Sequence, residues 1–177
     1  MKTYEINIKG IRRELPIVTV SEDLRIASFD ILGDTALVTY LAPLLAENLP
    51  TIDYIVTAEA KGIPLIQEIS KVLNMDKYIV ARKSMKPYMQ SPLIKKVTSI
   101  TTQKEQTLCL DGKDASLIKG KRVAIIDDVI STGESIRGLE ALLEEAGAHV
   151  LAKAAILAEG SAAEREDIIF LEKLPLF

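Results

Sequence analysis

A single cysteine among 177 residues leaves no partner for an internal disulfide and matches the thiol usage of a reducing cytosol. Cys109 is also a poor candidate nucleophile. The one histidine, His149, lies beyond the acidic residues 127 and 128 in sequence, so the thiol reads as a small strand hydrophobe. No apolar run approaches the ~20 residues of a membrane-spanning helix. The opening Met1-Lys2-Thr3-Tyr4-Glu5 lacks the apolar stretch of a signal peptide. Positive charge is not in excess, and the net charge of −3 argues against a nucleic-acid or membrane-surface partner. Repeats, low-complexity tracts and Gly/Ser-rich linkers are missing too. What is present is ordinary for a soluble globular chain, with 48% hydrophobic and 27% charged residues. The length suffices for one domain with a sizeable core. The expectation is a single cytoplasmic domain over residues 1–177.

The first thirty residues alternate apolar and polar through Tyr4, Ile6, Ile8, Ile17, Val18, Val20, Leu24 and Ile26, which predicts short strands and a hairpin through Gly10. Helical spacing over 33–48 places Leu37, Tyr40, Leu41, Leu44 and Leu45 on one stripe. A second helix is expected over 61–73 and a third over 133–146, closed by Gly147. Strands are expected at 52–57, 78–81, 121–126 and 150–157. Strands alternating with helices predict an α/β fold with a mostly parallel central sheet flanked by helices. Ligands of such sheets bind beyond the carboxyl ends of the strands. Asp127 and Ala58 both fall at such ends, so two loops should meet in one crevice. Residues 82–112 are different: basic, rich in Ser and Thr, broken by Pro87 and Pro92. They predict a flexible loop with hairpin arms at 97–101 and 106–110.

Residues 123–135 carry the chemistry: Val-Ala-Ile-Ile-Asp-Asp-Val-Ile-Ser-Thr-Gly-Glu-Ser. An apolar strand ends in two acids, a small-residue turn follows, and a helix begins. The turn offers backbone N–H groups and the positive end of a helix dipole to an anion. Asp127 and Asp128 stand beside it as hydroxyl acceptors. A ligand that suits both is a ribose 5-phosphate. The bland alternative is a turn and a helix cap. A Walker-type ATPase would need a Gly-x-x-x-x-Gly-Lys-Ser/Thr loop upstream, and none exists.

This segment resembles the signature of type I phosphoribosyltransferases, which use 5-phosphoribosyl 1-diphosphate (PRPP) and Mg²⁺. The resemblance implies that Ser131, Thr132, Gly133, Glu134 and Ser135 hold the 5′-phosphate. Asp127 and Asp128 would take the ribose hydroxyls. No direct protein–metal bond is implied, since the Mg²⁺ comes with PRPP. Residues 56–64, Val-Thr-Ala-Glu-Ala-Lys-Gly-Ile-Pro, resemble the Glu-Ala-Arg-Gly diphosphate loop of adenine phosphoribosyltransferases. Glu59, Ala60, Lys61 and Gly62 would then face diphosphate. Lys61 stands where the family has Arg, keeping the charge but losing the bidentate fork. That family loop often contains a non-proline cis peptide, expected here near Glu59–Ala60. An ordinary strand-to-helix turn is the alternative. Ala81-Arg82-Lys83-Ser84-Met85-Lys86 resembles the basic segment that opens the family's mobile loop, so Arg82, Lys83 and Lys86 would reach diphosphate. Lys95 and Lys96 read as solvated. Ser99-Ile100-Thr101-Thr102-Gln103-Lys104 is similar to a hairpin of xanthine phosphoribosyltransferases.

By the same resemblance, residues 1–32 and 159–177 form a hood and 82–112 the flexible β-hairpin loop. The base should lie near Val129, with Phe29 as a stacking aromatic; core packing is the alternative for Phe29. The strand over 150–157 runs on into an acid, Glu159, an acceptor that suits adenine's amino group. Lys153 keeps hypoxanthine, guanine and xanthine open, because 6-oxopurine enzymes place a Lys near the base. Position 131 is Ser where hypoxanthine–guanine enzymes carry an Asp. The Glu that adenine enzymes use falls at Lys104, and Glu105 would need a register shift that flips its face. The general acid/base is therefore unassigned. Adenine, PRPP and a homodimer are the leading expectations, with a PRPP-sensing regulator as the non-catalytic alternative.

Overall fold

The computed structural model describes residues 2–98 and 105–177. Its centre is a five-stranded parallel sheet. The strands are β4 (Tyr54–Ala58), β5 (Ile79–Ala81), β8 (Arg122–Ile130), β9 (His149–Glu159) and β10 (Ile169–Leu174), in the order β10-β9-β8-β4-β5. β8 lies in the middle because its residues are apolar on both sides. Val123, Ala124, Ile125 and Ile126 are all fully buried. Alternation divides them between two cores. Ala124 and Ile126 pack with Leu37, Leu41, Leu65 and Ile69 of the helices α1 (Thr35–Ala46) and α2 (Gly62–Val72). Val123 and Ile125 pack with Leu139, Leu142 and Leu143 of α4 (Glu134–Glu145). Gly147, at φ +83°, ends α4 as expected, its N–H and that of Ala148 donating to the carbonyls of Glu144 and Leu143.

The N-terminal hood is an antiparallel sheet of β1 (Thr3–Ile8), β2 (Ile11–Ser21) and β3 (Leu24–Ala27), turning through Gly10 at φ +103°. Asp34 ties it down. Its carboxylate accepts the Arg13 guanidinium at 2.6 and 2.9 Å and caps α1 through the Leu37 N–H. β10 joins the main sheet beside β9, with Leu171 and Leu174 buried in the core that also holds Ile6, Ile8 and Ala27 of the hood, and Phe177 and Arg25 exchange backbone hydrogen bonds.

Residues 82–112 do hold a hairpin, of β6 (Leu93–Thr98) and β7 (Glu105–Leu110). Its first arm starts earlier than expected, directly after Pro92, because Leu93 and Val97 pack on the α4 side of the sheet. Gly138 of α4 leaves the space that Val97 occupies; a Cβ there would collide with it. Lys95 is not purely solvated, since it pairs with Glu145 at 3.5 Å, and Lys96 pairs with Glu105 at 2.8 Å. The xanthine-type segment 99–104 lies outside the described residues. Cys109 is fully buried, and burial pushes its thiol up, away from the thiolate that reactivity needs. A short helix, α3 (Gly112–Ile118), follows the hairpin and has no counterpart in the sequence reading.

Candidate active site

The carboxyl ends of β4, β8 and β9 open on one edge of the sheet, as the parallel topology requires. Two cavities lie there. One, of about 230 Å³, is lined by Glu59, Lys61, Lys83, Asp127, Asp128 and Ser135 among others. The other, of about 240 Å³, is lined by Phe29, Lys61, Asp128, Val129, Ser131 and Glu159 together with hood residues 26–28 and Leu174. Lys61 and Asp128 belong to both, so the cavities share a wall.

Asp127 and Asp128 form the floor. Asp128 is 7% exposed, and its N–H donates to Asp127 Oδ1 at 2.9 Å. Burial, and then the neighbouring Asp128 charge, raise the Asp127 carboxyl far above the usual carboxylate range. Two acids held this close, one buried and one half-buried, are costly to the fold, which points to a use in binding or catalysis.

The loop after β8 passes between the cavities, with Ser131 on one and Ser135 on the other. Gly133 sits at φ +80° as the residue before α4, a conformation that L side chains avoid. Thr132 Oγ1 accepts the Glu134 N–H at 3.4 Å. A guanidinium that sequence reasoning missed, Arg165, lies against Gly133.

Across the cleft, the Glu59–Ala60 peptide is cis. Gly62 lets α2 begin hard against the sheet; a Cβ there would strike the Thr57 hydroxyl and come within 3.4 Å of the Ile126 carbonyl. The Lys61 ammonium donates to the Phe29 carbonyl at 3.0 Å and so joins the diphosphate-type loop to the hood. Glu59 organises the basic segment. Its carboxylate accepts Arg82 Nε at 2.6 Å and the Lys83 N–H at 2.7 Å. Burial raises the Glu59 carboxyl, but the Lys83 N–H and Arg82 guanidinium outweigh it and hold the group below its ordinary range. Of the three basic residues named from the sequence, Lys83 lines the cavity. Arg82 is engaged by Glu59 and by the Tyr88 hydroxyl at 2.7 Å, and the Lys86 ammonium donates to Ser84 Oγ at 2.6 Å.

In the second cavity Phe29, Val129 and Glu159 come together from three distant segments. Phe29 is 4% exposed, belongs to the core and borders the cavity. Glu159 is 8% exposed at the end of β9. Lys153 does not line this cavity. It is paired with Glu140 and Asp167, each at 3.2 Å. Glu105 also stands apart, on Lys96, and Lys104 is outside the described residues.

Comparison with known proteins fits this layout. A hypoxanthine/guanine phosphoribosyltransferase of Methanothermococcus okinawensis is 37% identical over 113 residues, 64% of this chain and 57% of that protein. A probable purine biosynthesis transcriptional regulator PurR of Streptococcus pneumoniae is 28% identical over 140 residues, 77% of this chain and 50% of that one. The chain thus spans about half the length of the curated relatives it matches. Among solved structures, an adenine phosphoribosyltransferase of Thermoanaerobacter pseudethanolicus superposes with a TM-score of 0.74 at 21% identity, over 90% of this chain and 95% of that one, which shows a shared fold. The phosphoribosyl transferase domain family matches residues 40–173, most of the chain, and the protein belongs to that family.

Proposed function

We propose that the protein transfers the 5-phosphoribosyl group of PRPP to a purine, adenine first, releasing diphosphate and forming a nucleoside 5′-monophosphate in salvage. The carrying observation is the shared wall: Asp128 borders both cavities, with Asp127 beside it and the loop over 131–135 at their junction. A ribose phosphate seated there has its diphosphate toward Lys61 and Lys83 and its C1 toward the second cavity. Loss of diphosphate builds positive charge on the ribose ring. The acidic pair beneath it, with Asp127 raised toward its neutral form and the pair keeping negative charge, stabilises that charge more than the ground state. Glu59 contributes indirectly, by directing the backbone that carries Lys83.

Mg²⁺ fits this scheme as an ion delivered on PRPP. The diphosphate oxygens would supply ligands to the ion, which would offset their charge. A homodimer is the proposed assembly. Met85 and Tyr88, beside the basic segment, are 63% and 61% exposed, as expected of side chains that another subunit covers.

Adenine leads because Glu159, a buried acceptor lining the second cavity, suits a 6-amino group. Two observations favour other readings. Lys61 also lines that cavity and supplies a donor for a 6-oxo group, in keeping with the hypoxanthine/guanine relatives. The regulator relative favours a PRPP sensor. A radiolabelled-base assay with PRPP and Mg²⁺ over adenine, hypoxanthine, guanine and xanthine decides among them. Turnover with adenine supports the leading reading. Turnover restricted to a 6-oxopurine reverses the base, and PRPP binding without turnover on any base makes the protein a sensor.

A further inference from the structure

Arg165 follows the short 3-10 turn Gly160–Glu164, thirty-odd residues beyond the phosphate-type loop, in a stretch with no recognisable motif. Its guanidinium is fixed. Nε and Nη2 donate to the two oxygens of Asp167 at 2.8 and 2.6 Å, a fork that sets the plane of the group. Asp167 is held in turn by Lys153 at 3.2 Å, and Lys153 by Glu140 of α4 at 3.2 Å. The chain of ion pairs therefore starts on the helix that the loop feeds and returns to the loop itself. The third nitrogen, Nη1, has no hydrogen-bond partner among the described residues. It lies against Gly133, so close that a Cβ on that glycine would collide with it.

The loop needs such a group. A phosphate monoester carries nearly two negative charges, whereas backbone amides carry none. Lys61, which borders both cavities, and Lys83, which borders the first, are suited to diphosphate. We propose that Arg165 is a second anchor for the ribose 5′-phosphate. The spare Nη1 would donate to a phosphate oxygen while Asp167 keeps the guanidinium aimed. This rests on the PRPP reading of the loop.

Calorimetric titration of the full chain with ribose 5-phosphate and, separately, with inorganic diphosphate tests it. Arg165→Gln should weaken ribose 5-phosphate about ten- to hundredfold, the worth of a charge-assisted hydrogen bond. Diphosphate affinity should stay within about twofold, which also shows that the variant is folded. Arg165→Lys, which keeps the charge, should recover part of the loss; if the Gln variant does not fold, a partial loss in the Lys variant, confined to ribose 5-phosphate, is the expected result. Unchanged ribose 5-phosphate binding in a folded variant, or equal loss of both ligands, would reduce Arg165 to a structural ion pair. A wild-type protein that takes diphosphate but not ribose 5-phosphate overturns the reading of the loop itself, and the role of Arg165 with it.

Discussion

The two cavities differ in how they are assembled. The first draws most of its polar groups from stretches that leave neighbouring strand ends, residues 59–61 after β4 and 127–135 at the end of β8, with Lys83, whose N–H Glu59 accepts, and Gln106 of the hairpin added. The second is a junction of the hood, the ends of β8, β9 and β10 and Lys61, with two buried acids, Asp128 and Glu159, among walls divided between apolar and polar residues. A polyanion is a demanding ligand, and a helix start, a lysine and a glycine turn meet it with local structure alone. A planar base is recognised by shape and by few polar contacts, which distant segments must bring together.

The largest effect expected is from the floor common to both. Asp127→Asn with Asp128→Asn should lower turnover about a thousandfold, the scale of removing electrostatic stabilisation from a dry site, in a steady-state assay with PRPP and the preferred base. An unchanged rate would end the assignment of a role to the acids. Glu159→Gln should separate the cavities. The KM for the purine should rise about tenfold, whereas PRPP affinity measured by calorimetry should hold; loss of both together would show that the two spaces act as one.

Gly62→Ala tests the first cavity's frame. The added methyl meets the Thr57 hydroxyl and the Ile126 carbonyl, so stability should fall by about 1–3 kcal/mol in a urea titration. Phe29→Leu should cost on the order of 1 kcal/mol and raise the purine KM a few-fold, with PRPP affinity intact.

The smallest effect concerns pH. In the folded chain burial, and then the Asp128 charge, hold the Asp127 carboxyl above the ordinary value of roughly 4 at which it titrates in the unfolded chain. A raised pKa means stability that is complete below the unfolded value and is lost as pH rises through the folded one. Wild-type melting temperature should therefore decline across that window more than that of Asp127→Asn, which should melt several degrees higher at pH 8. Parallel melting curves for the two proteins would show that the buried carboxyl costs the fold nothing.

Much of the first cavity was legible because its signals are local. The acids, the Thr132-Gly133 turn and Ser135 fall within one strand, one loop and one helix start, so their spacing implies their juxtaposition. Glu59 was legible as a site residue but not as the group that turns Lys83 inward and engages Arg82, because that contact spans 23 and 24 residues. Arg165 was silent: an arginine in Glu-Arg-Glu-Asp looks like solvated surface until Asp167 folds back on it. α3 was missed because Asp111-Gly112 reads as a turn, although the same Asp111 oxygen that signals a turn caps this helix through the Lys113 N–H. The resemblance put residues 159–177 with the hood, whereas β10 within them pairs with β9 in the parallel sheet.

Sequence by itself determined the α/β order, the central buried strand and the acid–loop–helix unit, since each follows from hydrophobic period, turn chemistry and spacing along a few residues. The folded chain alone decided that Lys61 and Asp128 stand between two cavities, that Lys153 is committed to an ion-pair chain, and that Glu159 is buried at the purine-sized space. Those outcomes depend on which distant backbones meet, and the free energy of such meetings is spread over the whole core, with no single segment to announce it.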